Sequence, residues 1–199
     1  LNSCSNVVAP SLPSLTITNV SIGENPVDAV FEVSLSSASS QTVSVSYQTT
    51  GQTAITGADF QMTSGTLNFA PGELTKTIAV PILDDSLNEF TETFLVNLHQ
   101  PVNAVIMKVQ GTGSITDSDP VPTVTLHNVS VLEGNIVTAQ AMFGVTLSSP
   151  SGKLIQLTYS TADMSATAGS DYQAASNLNF NIAAGSSSAS IPIPAYSDT

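Results

Sequence analysis

The sequence has no arginine, no tryptophan, a single cysteine and only three lysines in 199 residues. Fifteen carboxylates against three lysines give a formal net charge of −12. That leaves no basic footprint for nucleic acid or an anionic membrane, both of which are bound by releasing counterions to Lys and Arg. Cys4 alone makes no intrachain disulfide. Leu1-Asn2-Ser3-Cys4 loosely resembles the lipobox before a lipidated bacterial cysteine, but a thiol in an N-terminal tail is the commoner case. No apolar run approaches the roughly 18 residues of a membrane span. No signal peptide is read at the start, which says little about secretion, since a first residue can follow processing. Without tryptophan, and with 6% aromatics, the usual platform for stacking sugars is missing.

What is present is a foldable chain with concentrated acid. Hydrophobic residues make up 41%, too many for a disordered acidic tail. Only 9% are charged, so Ser, Thr, Asn and Gln supply the solvent face, a composition that suggests an extracellular or cell-surface setting. Eight of the fifteen carboxylates fall at four places: Glu24, Asp59, the run holding Asp84, Asp85, Glu89 and Glu92, and the pair Asp117 and Asp119. No lysine is adjacent to them in sequence. Like charges crowded together disfavour ionisation unless a cation joins them. Carboxylate oxygens are hard donors, and Ca²⁺ takes six to eight oxygens in flexible geometry. The pattern points to Ca²⁺ ligation ahead of catalysis.

The chain repeats. Leu15–Ile22 matches Val124–Val131 at an offset of 109, and Glu24 falls on Glu133 at the same offset. Phe31–Ser37 matches Phe143–Ser149 at 112, as Gly57-Ala58-Asp59-Phe60 matches Gly169-Ser170-Asp171-Tyr172. Leu67-Asn68-Phe69 matches Leu178-Asn179-Phe180 at 111, and Ile78–Pro81 matches Ile191–Pro194 at 113. A period near 110 residues is a duplicated domain, and the drift in offset marks loop insertions. The organisation expected is a tail over 1–13, a first sandwich over 14–119 and an incomplete second sandwich over 120–199. Asp119-Pro120-Val121-Pro122 forms a short join stiffened by two prolines.

Within each copy the period is two. Phe31, Val33 and Leu35 alternate with polar residues, as do Val43, Val45 and Tyr47; Ile78, Val80 and Ile82; and Phe94, Val96 and Leu98. Such runs, separated by Gly, Pro and Asn turns, read as half-buried antiparallel strands. About seven strands per copy and no helical spacing predict an all-β chain of tandem immunoglobulin-like antiparallel Greek-key β-sandwiches. The predicted core is Phe31, Val33, Val45, Ile78, Val80, Phe94 and Val96, with Phe143, Val145, Leu157 and Ile193 as counterparts. The second copy reaches only the counterpart of Ser86, so strands matching those of Phe94 and Ile115 fall outside it. Residues 124–199 are therefore expected not to close a sandwich alone. Either disorder follows about Tyr172, or strands of another chain fill the space and assembly runs open-ended into fibres.

Gly57-Ala58-Asp59-Phe60, then Gly65–Glu73 (GTLNFAPGE), then Lys76–Asp85 (KTIAVPILDD), then Glu89–Leu98 (EFTETFLVNL) resembles a Calx-beta domain. As a set, the ordered strings are specific. The resemblance covers one whole copy and about two-thirds of the second, and implies an immunoglobulin-like sandwich with calcium ions at one end. By position it implies that Glu24, Asp59, Asp84, Asp85, Glu89, Glu92, Asp117 and Asp119 hold the metal in the first copy. Glu133, Asp171 and Asp198 would form an incomplete set in the second. Ser86 stands where a third aspartate is frequent, which implies fewer or weaker ions.

Catalytic readings are poor. Glu89 and Glu92 lie three apart in one loop, which is not a glycosidase pair. His99 and His127 stand singly, and no GxSxG elbow occurs. Asn19-Val20-Ser21 and Asn128-Val129-Ser130 are glycosylation sequons whose coincidence the repeat explains. The chain is read as a non-enzyme: a calcium-binding repeat module of a larger surface protein, acting in adhesion or as a rigid spacer. The expected partners are calcium ions and other protein domains or chains, with no direct membrane insertion. A fibre subunit completed by a neighbour's strands and a calcium-sensor region of a membrane transporter are the alternatives.

Overall fold

The computed structural model describes residues 11–132 and 139–197. The chain divides into two compact units. The first runs to Asp85 and resumes over Thr91–Ser118; the second holds Asp119 onward together with the short segment Ser86–Phe90. No helix among the described residues is long and apolar enough to cross a membrane.

The first unit contains β1 (Ser14–Ile17), β2 (Val20–Gly23), β3 (Asp28–Leu35), β4 (Val43–Gly51), β5 (Ser64–Phe69), β6 (Thr75–Pro81), β7 (Glu92–Val102), β8 (Val105–Ile106) and β9 (Gln110–Thr116). They form a four-stranded sheet ordered β6-β3-β1-β8 and a five-stranded sheet ordered β2-β9-β7-β4-β5. Alternation in the sequence becomes alternation in burial: β3 places Ala29, Phe31, Val33 and Leu35 inside while their neighbours face out or stay half-covered. One apolar cluster draws Leu15, Phe31, Val33, Ile78 and Val80 from the first sheet and Val43, Val45, Phe94, Val96 and Ile115 from the second. All seven residues predicted as core are no more than 1% exposed. Burying each such side chain contributes about 1.5–3 kcal/mol relative to leaving it in water.

Aromatic packing centres on Phe94. Its ring stacks on Phe60 at 4.6 Å and meets Phe31 edge-on at 5.8 Å. Gly113 on β9 lies directly beneath: a Cβ there would come within 2.4 Å of the Phe94 ring, so only glycine fits.

The sandwich departs from the purely antiparallel expectation at two pairs. The chain leaves β1 in one sheet and enters β2 in the other, so β1 runs parallel to β8 and β2 parallel to β9. Asn19 sits at this crossing and its side-chain oxygen accepts from the Thr112 backbone N–H at 3.1 Å and from Lys108 Nζ at 2.8 Å.

The second unit contains β10 (Val124–Leu126), β11 (Ala139–Leu147), β12 (Ile155–Tyr159), β13 (Leu178–Ile182) and β14 (Ser188–Ala195). Its sheets are β10-β11-β14 and β12-β13. The expected disorder after about Tyr172 is not found. β13 pairs with β12 over five residues and β14 pairs with β11 over eight, and Ile182, Ile191 and Ile193 are buried. Those pairings give β13 and β14 one partnered edge each, and the buried isoleucines anchor the segment. Val145 and Ile193 are buried as predicted, whereas Phe143 and Leu157 are half-buried against the cluster's rim.

The duplication extends to turn geometry. Gly57 N–H donates to Phe60 O at 2.9 Å, and Gly169 N–H to Tyr172 O at 2.8 Å. The two glycines share φ near +88° and +89°, a left-handed backbone where L side chains are strained.

Candidate metal centre

Strand register carries the acidic residues of the first unit to one end. Gly23 pairs with Thr116 in the β2–β9 ladder, and the N–H of Glu24 continues it to Thr116 O at 2.9 Å. Glu24 therefore stands beside Asp117, and Ser118 Oγ donates to Glu24 O at 3.1 Å. Glu92 opens β7 opposite Ile115, two residues before Asp117. Asp59 closes the tight turn after Ile55, where its Oδ2 accepts the Ile55 N–H. A bridge between Phe60 and Ile82, with Leu83 N–H donating to Asp59 O at 2.9 Å, sets that turn beside the start of the acidic loop. Glu24 and Asp59 are buried, at 4% and 5% exposure.

Side-chain oxygens then gather in three triplets, each within 4.8 Å: Glu24 with Asp117 and Asp119, Glu24 with Asp85 and Glu89, and Asp59 with Glu89 and Glu92. Glu89 hangs on a loop whose flanking residues Asp85 and Thr91 both belong to the first unit, and Asp119 directly follows that unit's last residue. Ca²⁺ binds oxygens at about 2.3–2.6 Å, so two ligands of one ion lie no more than about 5 Å apart. The spacing and the all-carboxylate donor set fit that ion. Glu24 and Glu89 each belong to two triplets, an arrangement that suits carboxylates shared between neighbouring ions.

Seven of the eight first-copy residues singled out from sequence are brought together in this way. Asp84 is the exception: it is exposed and joins none of the three groups. In the second copy, Asp171 is half-buried and its Oδ2 accepts the Thr167 N–H at 2.6 Å, repeating the Asp59 turn; among the described residues it joins none of the carboxylate groups. Glu133 and Asp198 lie outside the described residues.

Sequence reasoning missed Asn88, Ser151 and Lys153. Asn88 is 5% exposed; its Nδ2 donates to Asp119 O at 3.1 Å, and its carbonyl accepts from Ser151 Oγ at 3.0 Å. Lys153 Nζ donates to Asn88 Oδ1 at 3.1 Å and lies 4.8 Å from the centroid of the Phe90 ring. A lysine does therefore reach the acidic loop, through space and not through sequence. Its one sequence signal was a departure from the repeat, since Lys153 replaces Gln41 at offset 112.

The Calx-beta domain profile matches residues 12–119 and 151–199, more than half of the chain. The chain belongs to the Calx-beta domain family. It is similar to sodium/calcium exchanger 1 of dog, 47% identical over 57 residues, which is 29% of this chain and 6% of that protein. Rat sodium/calcium exchanger 3 is 36% identical over 93 residues, 46% of this chain and 10% of the exchanger. Zebrafish adhesion G-protein coupled receptor V1 is 46% identical over 54 residues, 27% of this chain and 1% of the receptor. The chain thus spans a small fraction of the curated relatives it matches. Among solved structures, the apo form of the Calx CBD1 domain aligns with TM-score 0.52 and 26% identity, over 55% of this chain and all of that one. The tandem CBD12 of CALX1.2 aligns at TM-score 0.52 and 22% identity, over 92% of this chain and 76% of that one, a likeness of fold.

Proposed function

We propose that this chain is a calcium-binding tandem Calx-beta module of a larger protein, with its copies over 14–119 and 120–199. Calcium is held by Glu24, Asp59, Asp85, Glu89, Glu92, Asp117 and Asp119. The observation that carries the reading is the set of three carboxylate triplets with oxygens within 4.8 Å. Bound ions would tie together the turn after β2, the Asp59 turn, the 84–92 loop and the chain after β9, stiffening that end. Such stiffening serves an adhesive or spacer module at a cell surface. The exchanger relatives favour a second reading, a calcium-sensing region attached to a membrane transporter, and give no support to the extracellular setting expected from composition. The flanking gene sequence separates the two, since membrane spans mark the sensor and further repeats mark the spacer.

Binding is tested by thermal unfolding in calcium and in chelator at neutral pH. A ligand that binds only the folded state adds about 2.7 kcal/mol at 100-fold excess over Kd, which is a rise of several degrees in Tm. Asp85→Asn removes most of that rise, and because Asp85 is exposed the substitution leaves the core intact. Asp84→Asn, one residue earlier and outside the triplets, retains it. Identical melting curves with calcium and chelator overturn the proposal.

A further inference from the structure

The loop between β11 and β12 is the counterpart, at offset 112, of the loop between β3 and β4, and its hydrogen-bonded frame is inherited. Ser39 Oγ accepts the Gln41 N–H at 3.0 Å, and Ser39 O accepts the Gly72 N–H at 3.0 Å. Ser151 repeats both bonds, with the Lys153 N–H at 3.1 Å and the Gly185 N–H at 2.7 Å. Beside the retained serine two residues have changed: Gly152 stands for Ser40 and Lys153 for Gln41. Both meet the acidic segment Ser86–Phe90, which belongs to the same unit. The Asn88 carbonyl accepts from Ser151 Oγ at 3.0 Å and from the Gly152 N–H at 3.2 Å. Lys153 Nζ reaches Asn88 Oδ1, and Asn88 Nδ2 reaches Asp119 O, both at 3.1 Å. The segment is thus pinned immediately before Glu89. Gly152 then lies against the Glu89 side chain: a Cβ at 152 would overlap Oε1 and stand 2.7 Å from Cγ and 2.8 Å from Cδ. The φ of Gly152 is outside the left-handed region, so the backbone would accept alanine. What the glycine supplies is space for one carboxylate.

We propose that Gly152 is a positioning residue of the calcium site and acts through Glu89, an inference that rests on the calcium reading above. Glu89 belongs to two of the three triplets, one with Glu24 and Asp85 and the other with Asp59 and Glu92. Displacing its carboxylate therefore withdraws an oxygen from both. The backbone bonds at Asn88 fix where the Glu89 side chain begins, and the space over Gly152 fixes where its carboxyl group lies. Outer groups that orient a metal's ligands commonly account for 10–100-fold in affinity. Any side chain at 152 forces the Glu89 carboxyl group out of its place.

The test is calorimetric titration with calcium of the full chain, its Gly152→Ala variant, its Glu89→Ala variant and the double variant. Gly152→Ala is expected to weaken binding by roughly tenfold or more, with a melting midpoint in chelator that is not lowered. In the Glu89→Ala background the atoms that a side chain at 152 would strike are gone, so adding Gly152→Ala weakens binding no further. That non-additivity is the signature of action through Glu89 and not through folding. Equal calcium affinity of Gly152→Ala and the unchanged chain overturns the proposal. So does an equal loss in both backgrounds, or a midpoint lowered as much in chelator as in calcium. Absence of calcium binding by the unchanged chain overturns the calcium reading itself, and this proposal with it.

Discussion

Single carboxylates in this chain have structural duties that come before any metal. Asp59 and Asp171 each use one oxygen to accept the N–H four residues earlier, which holds the turn that ends in Phe60 or Tyr172. Asp163 does similar work across a longer loop. The Tyr172 hydroxyl, and after it the Ala168 N–H, holds its carboxyl below the usual range, while the same bond pushes the Tyr172 phenol up. A carboxylate whose folded pKa is depressed adds stability above its unfolded value of about 3.9 and loses it as pH falls through the folded value. The Tyr172→Phe variant removes the larger cause, so the Asp163 carboxyl should titrate nearer the ordinary range. Carboxyl-carbon NMR of Asp163 against pH reads this directly. An unchanged midpoint would mean that the hydroxyl bond does not form in solution.

Among the elements, β7 does most for the first sandwich. It is the eleven-residue strand between β4 and β9, and its Phe94, Val96 and Leu98 are buried. Truncating Phe94 to Ala leaves a hole walled by Phe31 and Phe60, which costs about 3–5 kcal/mol. Urea denaturation reads that as a lower midpoint at unchanged slope. A loss below about 1 kcal/mol would show that the two rings collapse into the space. This element was legible in the sequence because period two and half-burial are the same fact seen twice. Phe31, Val33, Ile78 and Val80 could be placed inside before any coordinates. The crossing of β1 into β2 was not legible, because Leu15–Ile22 reads as one continuous run and the switch depends on a side-chain bond from Asn19 to a strand some ninety residues away. For the acidic site, the repeat and the absence of basic neighbours marked the region. Sequence spacing could not separate Asp84 from Asp85, since only loop geometry decides which of two adjacent carboxylates turns toward Glu24. Asn88 was invisible for a similar reason: its partners are a carbonyl and a lysine far along the chain.

At the scale of the whole molecule, the formal charge of −12 acts on any cation that approaches the loops. The three lysines are engaged: Lys76 pairs with Glu73 at 3.0 Å, Lys108 bonds Asn19 at 2.8 Å and Lys153 bonds Asn88 at 3.1 Å. Calcium affinity therefore has a local part, from oxygens within a few ångströms, and a long-range part from the remaining acid. Salt separates them. The Debye length shrinks from about 30 Å at 0.01 M ionic strength to about 3 Å at 1 M, which screens distant charges and leaves direct ligands nearly untouched. Calorimetric titration with calcium at those two ionic strengths should show weakening on the order of tenfold, a change of about 1.4 kcal/mol. Replacing Glu32, which pairs with Thr77 farther along β3 and away from the acidic turns, by Gln should shrink the salt dependence while leaving the high-salt affinity unchanged. An affinity indifferent to salt would place all of the attraction in the three triplets. Loss of high-salt affinity in the distant variant would instead show that β3 shapes the site through its packing.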